Sequence, residues 1–427
     1  MKTLRALFAV LLVLTLCPSL HAQIVNGRLV TSFFTWENFD TVGSSKTYLR
    51  GLQAVQLSGT YGDMSLHTYV LGSMNAAQAF GDYGFLRVYN LYLRWSGLGK
   101  MLDINAGRHA VFAGVGNGTI DGLSMRARLF QEKVQVTGYW GSTVCPQFTG
   151  VRENWHDNQN FGAQVLTTAL PDLRIGASYM NRREARDPYW ALRARDTTLL
   201  PYPYLIQFES MAEQYLSGDA TYAYGKVLTV YGRYDYDLNN AQTSRAQGSM
   251  RINVTDALSV TGDCIYRVPR IAYNSIFSAF VTNSTTEVEG GIEYSFLPLL
   301  RAFARIGDVT YSGETSQRWT VGVNAGYGTV SYSGSDGYAG ELQSLNLYAS
   351  YPLFNNLLIP NGGIAYSSYR LKPEDQRRDA VSVVLGAMVR PSAAFSCDLQ
   401  GQWLTNKVYN QDLRLQAKLS YWFSHRF

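Results

Sequence analysis

The sequence predicts an all-β protein: a transmembrane, antiparallel, up-and-down β-barrel of about 22 strands. Three observations carry that expectation. First, the last sixteen residues alternate. Leu413, Leu415, Ala417, Leu419, Tyr421, Phe423 and Phe427 share one parity; Asp412, Arg414, Gln416, Lys418, Ser420, Ser424 and Arg426 share the other. Successive side chains of a strand point to opposite faces, so this segment is a ribbon with one apolar and one polar face. Second, 30 Tyr, 39 Gly and only 16% charged residues suit many twisted strands bounded by aromatic girdles, and do not suit a helical protein. Third, short turns recur along the chain and alternate with longer polar loops.

At the start of the chain, Lys2 and Arg5 precede an apolar run from Ala6 to Leu16, followed by Cys17-Pro18-Ser19-Leu20-His21-Ala22. This pattern reads as a secretory signal cleaved after Ala22, which divides the chain into a leader, 1–22, and a barrel domain, 23–427. The run is too short to cross a bilayer as a helix. Leu16 is too bulky beside Cys17 for a lipoprotein signal. Nothing after the leader reaches the roughly 18 consecutive apolar residues of a helical span, and Ala380 to Val389 is among the longest runs.

The formal charge of +5 includes Lys2 and Arg5, so 23–427 carries +3, too little to argue for a nucleic-acid partner. The informative bias is that Arg greatly outnumbers Lys. Guanidinium forks pair bidentately with carboxylates and phosphates, as an arginine-lined pore or a lipopolysaccharide-facing surface would require. Cys145, Cys264 and Cys397 remain after the leader. Their odd count and wide spacing argue against a disulfide framework or a metal knuckle. Two of them fall on outward parities, where a thiol behaves as a small hydrophobe.

Strands are read at Arg28–Glu37, Lys46–Ser58, Met64–Ser73 and Phe85–Ser96. Short turns are read at 61–63, ending at Lys100, at 131–133, 169–172, 225–226, 255–257 and 297–299, near Gly328, and at 354–356 and 391–393. Ten short turns between two free ends give eleven hairpins, hence 22 strands; merged strands would lower this to as few as 16. Several strands separate their faces cleanly. Leu123, Met125, Ala127 and Leu129 oppose Ser124, Arg126 and Arg128. Ala246, Gly248, Met250 and Ile252 oppose Arg245, Gln247, Ser249 and Arg251. Leu258, Val260, Gly262 and Cys264 oppose Ser259, Thr261, Asp263 and Arg267; Cys397 and Leu399 oppose Asp398 and Gln400. An Arg or Lys on the lipid face costs about 2–4 kcal/mol at the midplane, so the charged parity faces the lumen. Asp219 and Arg414 join this inward set. Leu29–Thr35 and Arg301–Val309 show no clean parity.

Two loops break the rhythm. Ser142–Gln159 contains Cys145-Pro146 and Trp155-His156-Asp157. Arg182–Met211 is the longest and holds Arg182, Arg183, Arg186, Arg193 and Arg195. Long loops are usually functional or mobile, and this one could enter the lumen as a constriction or lie on the surface against lipopolysaccharide phosphates.

The C-terminal segment, with Tyr421-Trp422-Phe423 and the final Phe427, resembles the closing strand of bacterial outer-membrane β-barrels; His425 departs from the alternation. That resemblance implies insertion by the barrel assembly machinery, which reads this end of the chain. Leu102-Asp-Ile-Asn-Ala-Gly-Arg-His109, followed by Gly116-Asn-Gly-Thr-Ile-Asp-Gly-Leu-Ser-Met-Arg126, resembles a strand–loop–strand of alginate-export and related substrate-specific porins. It implies Arg108, Asp121, Arg126 and Arg128 as pore-lining residues. Strict alternation from Leu102, Ile104 and Ala106 puts Arg108 on the outer parity, so an inward aim requires a bulge at Gly107. The alternative is an Arg–Asp pair that braces the wall.

Catalytic readings are weak. Ser65 and His67 share a face, but the spacing supplies neither an acid nor oxyanion donors. His156-Asp157 is a single loop dipeptide. No zinc spacing exists, and no cofactor is expected. Strand-like sequence starts within a few residues of Ala22, which leaves no room for an N-terminal plug domain. The leading expectation is an outer-membrane channel for small hydrophilic solutes, anions among them. The alternative is a non-catalytic structural or docking barrel, an assembly factor or a sheath around a periplasmic partner. Expected partners are outer-membrane lipid and lipopolysaccharide, the assembly machinery and the solutes themselves.

Overall fold

The computed structural model describes residues 23–427 apart from 40–44, 78–85, 146–147, 149–154, 156, 185–188, 195–200, 207–210, 272–276, 278–279, 281 and 409–410. The leader reading of 1–22 lies outside the described residues. In chain order the strands are β1 (Ile24–Phe39), β2 (Ser45–Tyr61), β3 (Met64–Asn75), β4 (Leu86–Leu98), β5 (Leu102–Ala113), β6 (Gly116–Leu129), β7 (Val134–Thr143), β8 (Gln159–Leu170), β9 (Leu173–Arg182), β10 (Tyr189–Ala194), β11 (Pro201–Ile206) and β12 (Glu213–Tyr224). They continue as β13 (Leu228–Asp237), β14 (Gln242–Asn253), β15 (Leu258–Arg267), β16 (Thr285–Leu297), β17 (Leu300–Tyr311), β18 (Glu314–Ala325), β19 (Gly328–Gly337), β20 (Glu341–Ser350), β21 (Leu358–Arg370), β22 (Arg378–Ser392), β23 (Phe395–Thr405) and β24 (Asp412–Arg426).

Twenty-two of these form one antiparallel sheet in which each strand pairs with its neighbour in sequence, β9 pairs with β12, and β24 returns to β1. Ile24 lies opposite Arg426 and Phe34 opposite Gln416, so the ring has no free edge. β10 and β11 form a separate two-stranded sheet in the long β9–β12 connection. All ten short turns read from the sequence fall between strands at the end of the barrel that also holds Ile24 and Phe427. The longer connections gather at the opposite end. No helix of the described residues is long and apolar enough to cross a membrane. The spanning structure is the sheet.

Strand parity sorts the side chains. Leu91, Leu93, Leu123, Met125, Val165, Leu216, Met250, Ile292, Leu345, Leu385 and Leu419 are all exposed and all stand on outward parities. In a soluble protein such a belt would be untenable; around a closed barrel it is the surface that meets hydrocarbon. Cys264 and Cys397 are outward as read, and no described cysteine is disulfide-bonded. A closed barrel keeps every ladder hydrogen bond inside the sheet, which is the condition for β-structure in lipid. The protein is an outer-membrane β-barrel.

The strands without a clean pattern in the sequence have one in space. Glu287, Glu289 and Glu293 of β16 face the same interior as Arg301 and Arg305 of β17 and Arg318 of β18, and Val288, Ile292 and Ile306 face out. Phe303 sits on the inner parity, opposite Gly322, whose missing side chain makes room for the ring. That inward aromatic is what obscures the alternation of β17.

A sheet with no edge melts only as a whole, so the unboiled protein is expected to migrate differently from the boiled protein in detergent gels. Identical migration would contradict closure between β1 and β24.

Candidate pore and lumen constriction

One hairpin does not stay in the wall. β5 pairs with β4 only from Leu102 up to Arg108, which lies opposite Leu91. β6 pairs with β7 up to Ile120 opposite Thr143. Beyond these points the β5–β6 hairpin turns inward and lies across the lumen face of its neighbours. An added Cβ on Gly114, at the tip, would stand 2.1 Å from Ser178 Oγ of β9 and 3.3 Å from Gln164 Nε2 of β8. The Val115 amide donates to Ser178 Oγ at 2.9 Å. Val115 is buried with Met180 of β9 and Tyr215 of β12, and Val111, Ala113 and Ile120 with Tyr139 of β7. Tyr139, Gln164, Ser178, Met180 and Tyr215 all stand on inward parities. The hairpin has therefore folded onto the inner wall as a page folds onto the next. Its other face, with Phe112 79% exposed, turns to the open lumen.

Two local features permit the fold. Gly107 has φ of 121°, and its missing side chain lets the backbone come within contact of the Leu91 carbonyl. Gly114, with φ of 64°, supplies the tight turn that joins the two strands. His109 fixes the crease from inside. Its Nδ1 lies 3.0 Å from the Gly107 carbonyl and its Nε2 2.7 Å from Ser124 Oγ. A carbonyl only accepts, so Nδ1 carries the proton, and in the neutral ring Nε2 accepts from the Ser124 hydroxyl.

Arg108 fixes the crease from outside. It keeps the outer parity of Ala106, because the pairing stays in register on both sides of Gly107. It donates through Nε and Nη2 to both carboxylate oxygens of Asp121, at 2.7 and 2.6 Å, and through Nη1 to the Val88 carbonyl at 3.1 Å. Its side chain is only 7% exposed. Arg108 and Asp121 thus stand at the back of the fold in the wall, the bracing arrangement, and not on the open lumen.

The other residues singled out in the sequence divide as follows. Arg126 and Arg128 face inward; Arg128 pairs with Asp103, which also lies 3.7 Å from Arg94. Arg126 is exposed, and among the described residues no carboxylate stands within ion-pair distance of it. Asp219 is inward, 3.9 Å from Arg174. Arg245 donates to Gln247. Arg251 pairs with Glu293 at 2.9 Å, Arg267 with Glu287 at 2.5 Å and Arg414 with Asp412 at 2.7 Å. Asp263 lies between Ser249 and Glu289, and Asp398 lies opposite Lys418. Arg182 is on the wall, bound to Glu213 at 2.8 Å. The Arg183 amide donates to the Gln159 carbonyl. Arg193 stacks its guanidinium over Tyr204 of the β10–β11 hairpin, 5.4 Å from the ring centre. Arg186 and Arg195 lie outside the described residues.

The inner wall of β14–β18 is densely charged. Glu293 is shared by Arg251, Arg301 and Arg305, and Glu287 by Arg267 and Arg318, while Arg318 also reaches Glu289 at 3.1 Å. Three glutamates hold five arginines, and these arginines remain 40–59% exposed to the lumen. A second network stands beside the hairpin tip. Asp235, fully buried, accepts from Arg233, Ser217 and Arg270, and Arg270 lies 4.2 Å from the ring centre of Tyr215. Arg270 belongs to the β15–β16 connection, whose first residues therefore lean inward. The wall on the other side is aromatic: Phe34, Trp36 and Tyr48 stack in series at 5.1 and 5.2 Å.

Ser65 Oγ lies 2.9 Å from His67 Nε2 on the lumen face. The His67 ring stacks on Tyr92 at 4.9 Å, and the residue paired across the ladder from Ser65 is the cation Arg94. That is a hydrogen-bonded pair without the orienting acid of a triad. Among the described residues, no group of three or more His, Cys, Asp or Glu is placed to hold a metal ion.

Removing one partner of a buried pair strands the other charge, at about 3–5 kcal/mol, whereas replacing both with apolar residues is often neutral. Asp121→Leu is therefore expected to lower the unfolding midpoint in detergent micelles, and Arg108→Leu added to it is expected to restore much of the loss. A double variant as unstable as the single would assign the cost to lost packing instead.

No protein-family model and no curated protein matches the chain. Among solved structures it is similar to the translocation pore of the P pilus usher PapC, at 9% identity and TM-score 0.47, covering 94% of this chain and 99% of that one. It is also similar to OpdO of Pseudomonas aeruginosa, at 10% identity and TM-score 0.43, covering 94% and 97%. A BenF-like porin from Pseudomonas fluorescens Pf-5 matches at 10% identity and TM-score 0.40, covering 94% and 99%.

Proposed function

We propose that the protein is a passive outer-membrane channel for small hydrophilic solutes, with a preference for anions. The observation that carries this reading is the β5–β6 hairpin folded onto the inner wall of a closed barrel. A scaffold or sheath has no need to withdraw a hairpin from its own wall and place it in the lumen. A diffusion pore does, because the hairpin narrows the passage at a fixed depth and sets the size of what passes. The anion preference follows from the lumen wall, where five arginines surround three glutamates and a surplus of guanidinium raises the local anion concentration. Residues 1–22 as a cleaved export leader, assembly through the C-terminal strand, and contact with lipopolysaccharide belong to the same proposal.

Single-channel recording in planar bilayers tests it. The purified protein is expected to give reproducible open steps, and a variant in which 110–119 is replaced by a short Gly-Ser turn is expected to give larger ones. Silence from both proteins would favour a docking barrel.

Reversal potentials across a salt gradient test the selectivity. Among the described residues Arg126 has no carboxylate partner, whereas Arg128 is paired with Asp103. Arg126→Gln is therefore expected to reduce anion preference more than Arg128→Gln, and both effects should shrink as salt shortens the screening length. A cation-selective wild type would remove the arginine argument.

A further inference from the structure

Where the β5–β6 hairpin leaves the wall it leaves a cavity on the membrane side. Val88, Leu91, Leu123, Trp140 and Trp155 form its walls, and Arg108 with Asp121 forms its floor; its volume is about 550 Å³. Leu91, Leu123 and Trp140 stand on outward parities and are exposed, so the cavity opens into the apolar belt and not into the lumen. Trp155 of the β7–β8 connection seats edge-on against Trp140, 4.1 Å between ring centres, and builds the wall higher than the sheet alone would. A pocket of this size is within the roughly 300–1,000 Å³ range of small-molecule sites, with apolar sides and a few fixed polar groups.

The floor states the chemistry of the occupant. Arg108 is spent on Asp121 and on the Val88 carbonyl and is almost wholly covered, whereas the Asp121 side chain is 19% exposed. The accessible pole is thus a carboxylate, which only accepts hydrogen bonds when ionised. Whatever fills the cavity must be apolar along most of its length and must present an N–H or O–H at one end. Hydrocarbon chains already bathe the surrounding belt. We propose that the crease is a binding site for one acyl chain of a membrane lipid whose headgroup carries a hydrogen-bond donor, held against Asp121. This assignment stands apart from the pore reading, since the site faces lipid whether or not the lumen conducts.

The test uses the full-length barrel in lipid nanodiscs doped with phosphatidylethanolamine or phosphatidylcholine, each carrying the same photoactivatable diazirine acyl chain. Only the ethanolamine headgroup has N–H donors. After irradiation, adducts are mapped by mass spectrometry. The expected result is labelling concentrated at Leu91, Leu123, Trp140 and Trp155 over the equally outward Leu345 and Leu385. Phosphatidylethanolamine should exceed phosphatidylcholine by about tenfold, the effect of one hydrogen bond to a charged group. Leu91→Trp, which fills the cavity from the lipid side, should abolish the excess while heat modifiability and single-channel conductance stay at wild-type values. Labelling of the crease no greater than that of Leu345 and Leu385, or equal for the two lipids, would overturn the proposal. So would an excess that survives Leu91→Trp in a normally folded barrel.

Discussion

The constraint on which everything else depends is that hydrocarbon offers no hydrogen bonds, so each backbone amide and carbonyl in the wall must find a partner within the protein. Closure of β24 on β1 meets it for the whole ring. Among the described residues, one departure is the stretch of β4 above Leu91, which β5 abandons. Val88 lies there, and both of its backbone groups that would have met β5 are met otherwise. Its amide donates to the Phe148 carbonyl at 2.8 Å, and its carbonyl accepts from Arg108 Nη1. The buried guanidinium and the loop residue are substitutes for missing ladder bonds. This accounts for an arginine on the outward parity, where it would otherwise be expensive.

The same economy governs the interior. The glutamates along the β14–β18 wall are not left isolated; each is shared by more than one arginine or shares one with a neighbour. Sharing holds the long side chains against the wall and keeps the passage clear, yet leaves an excess of guanidinium facing water. Opposite in character is the Phe34, Trp36 and Tyr48 stack. The lumen is therefore two-sided, with a charged sector and an aromatic one, and the folded hairpin lies against a third sector formed by β7–β9 and β12.

Strand number and face assignment were legible because both depend on local patterns. Turn residues such as Gly99-Lys100 or Pro171-Asp172 punctuate the chain, and period-two alternation needs only a few neighbours to read. Strands that carry an aromatic on the inner face were not legible; Phe303 masks the arginines on either side of it. The constriction was also hidden. Length and charge mark Arg182–Met211 in the sequence, whereas the hairpin that enters the lumen has one of the shortest connections, Gly114-Val115. Its signal was present as glycines at 107, 114, 116, 118 and 122 beside an apolar run on the inward parity, Val111 and Ala113. An inward apolar residue in a watery lumen has no reason to be there unless something covers it, and what covers it is the neighbouring inner wall, Tyr139 of β7 first. The alternation at Leu102–Arg108 had placed Arg108 outward, and the register at Gly107 keeps it so.

The pairing of Ile24 with Arg426 joins the first strand of the barrel to the last. No local sequence of events can close this ring: until the last strand is available, the first has an open edge of unpaired amides and carbonyls. Long-range pairing of this kind is slow, because the chain between must be ordered before the contact repays it. A chain cut short of β24 would not be a smaller barrel but a curved sheet with two sticky margins, each a template for the next molecule's strands. Closure thus acts as an all-or-none checkpoint on completeness, and the two ends of the chain are the parts of the molecule that report it.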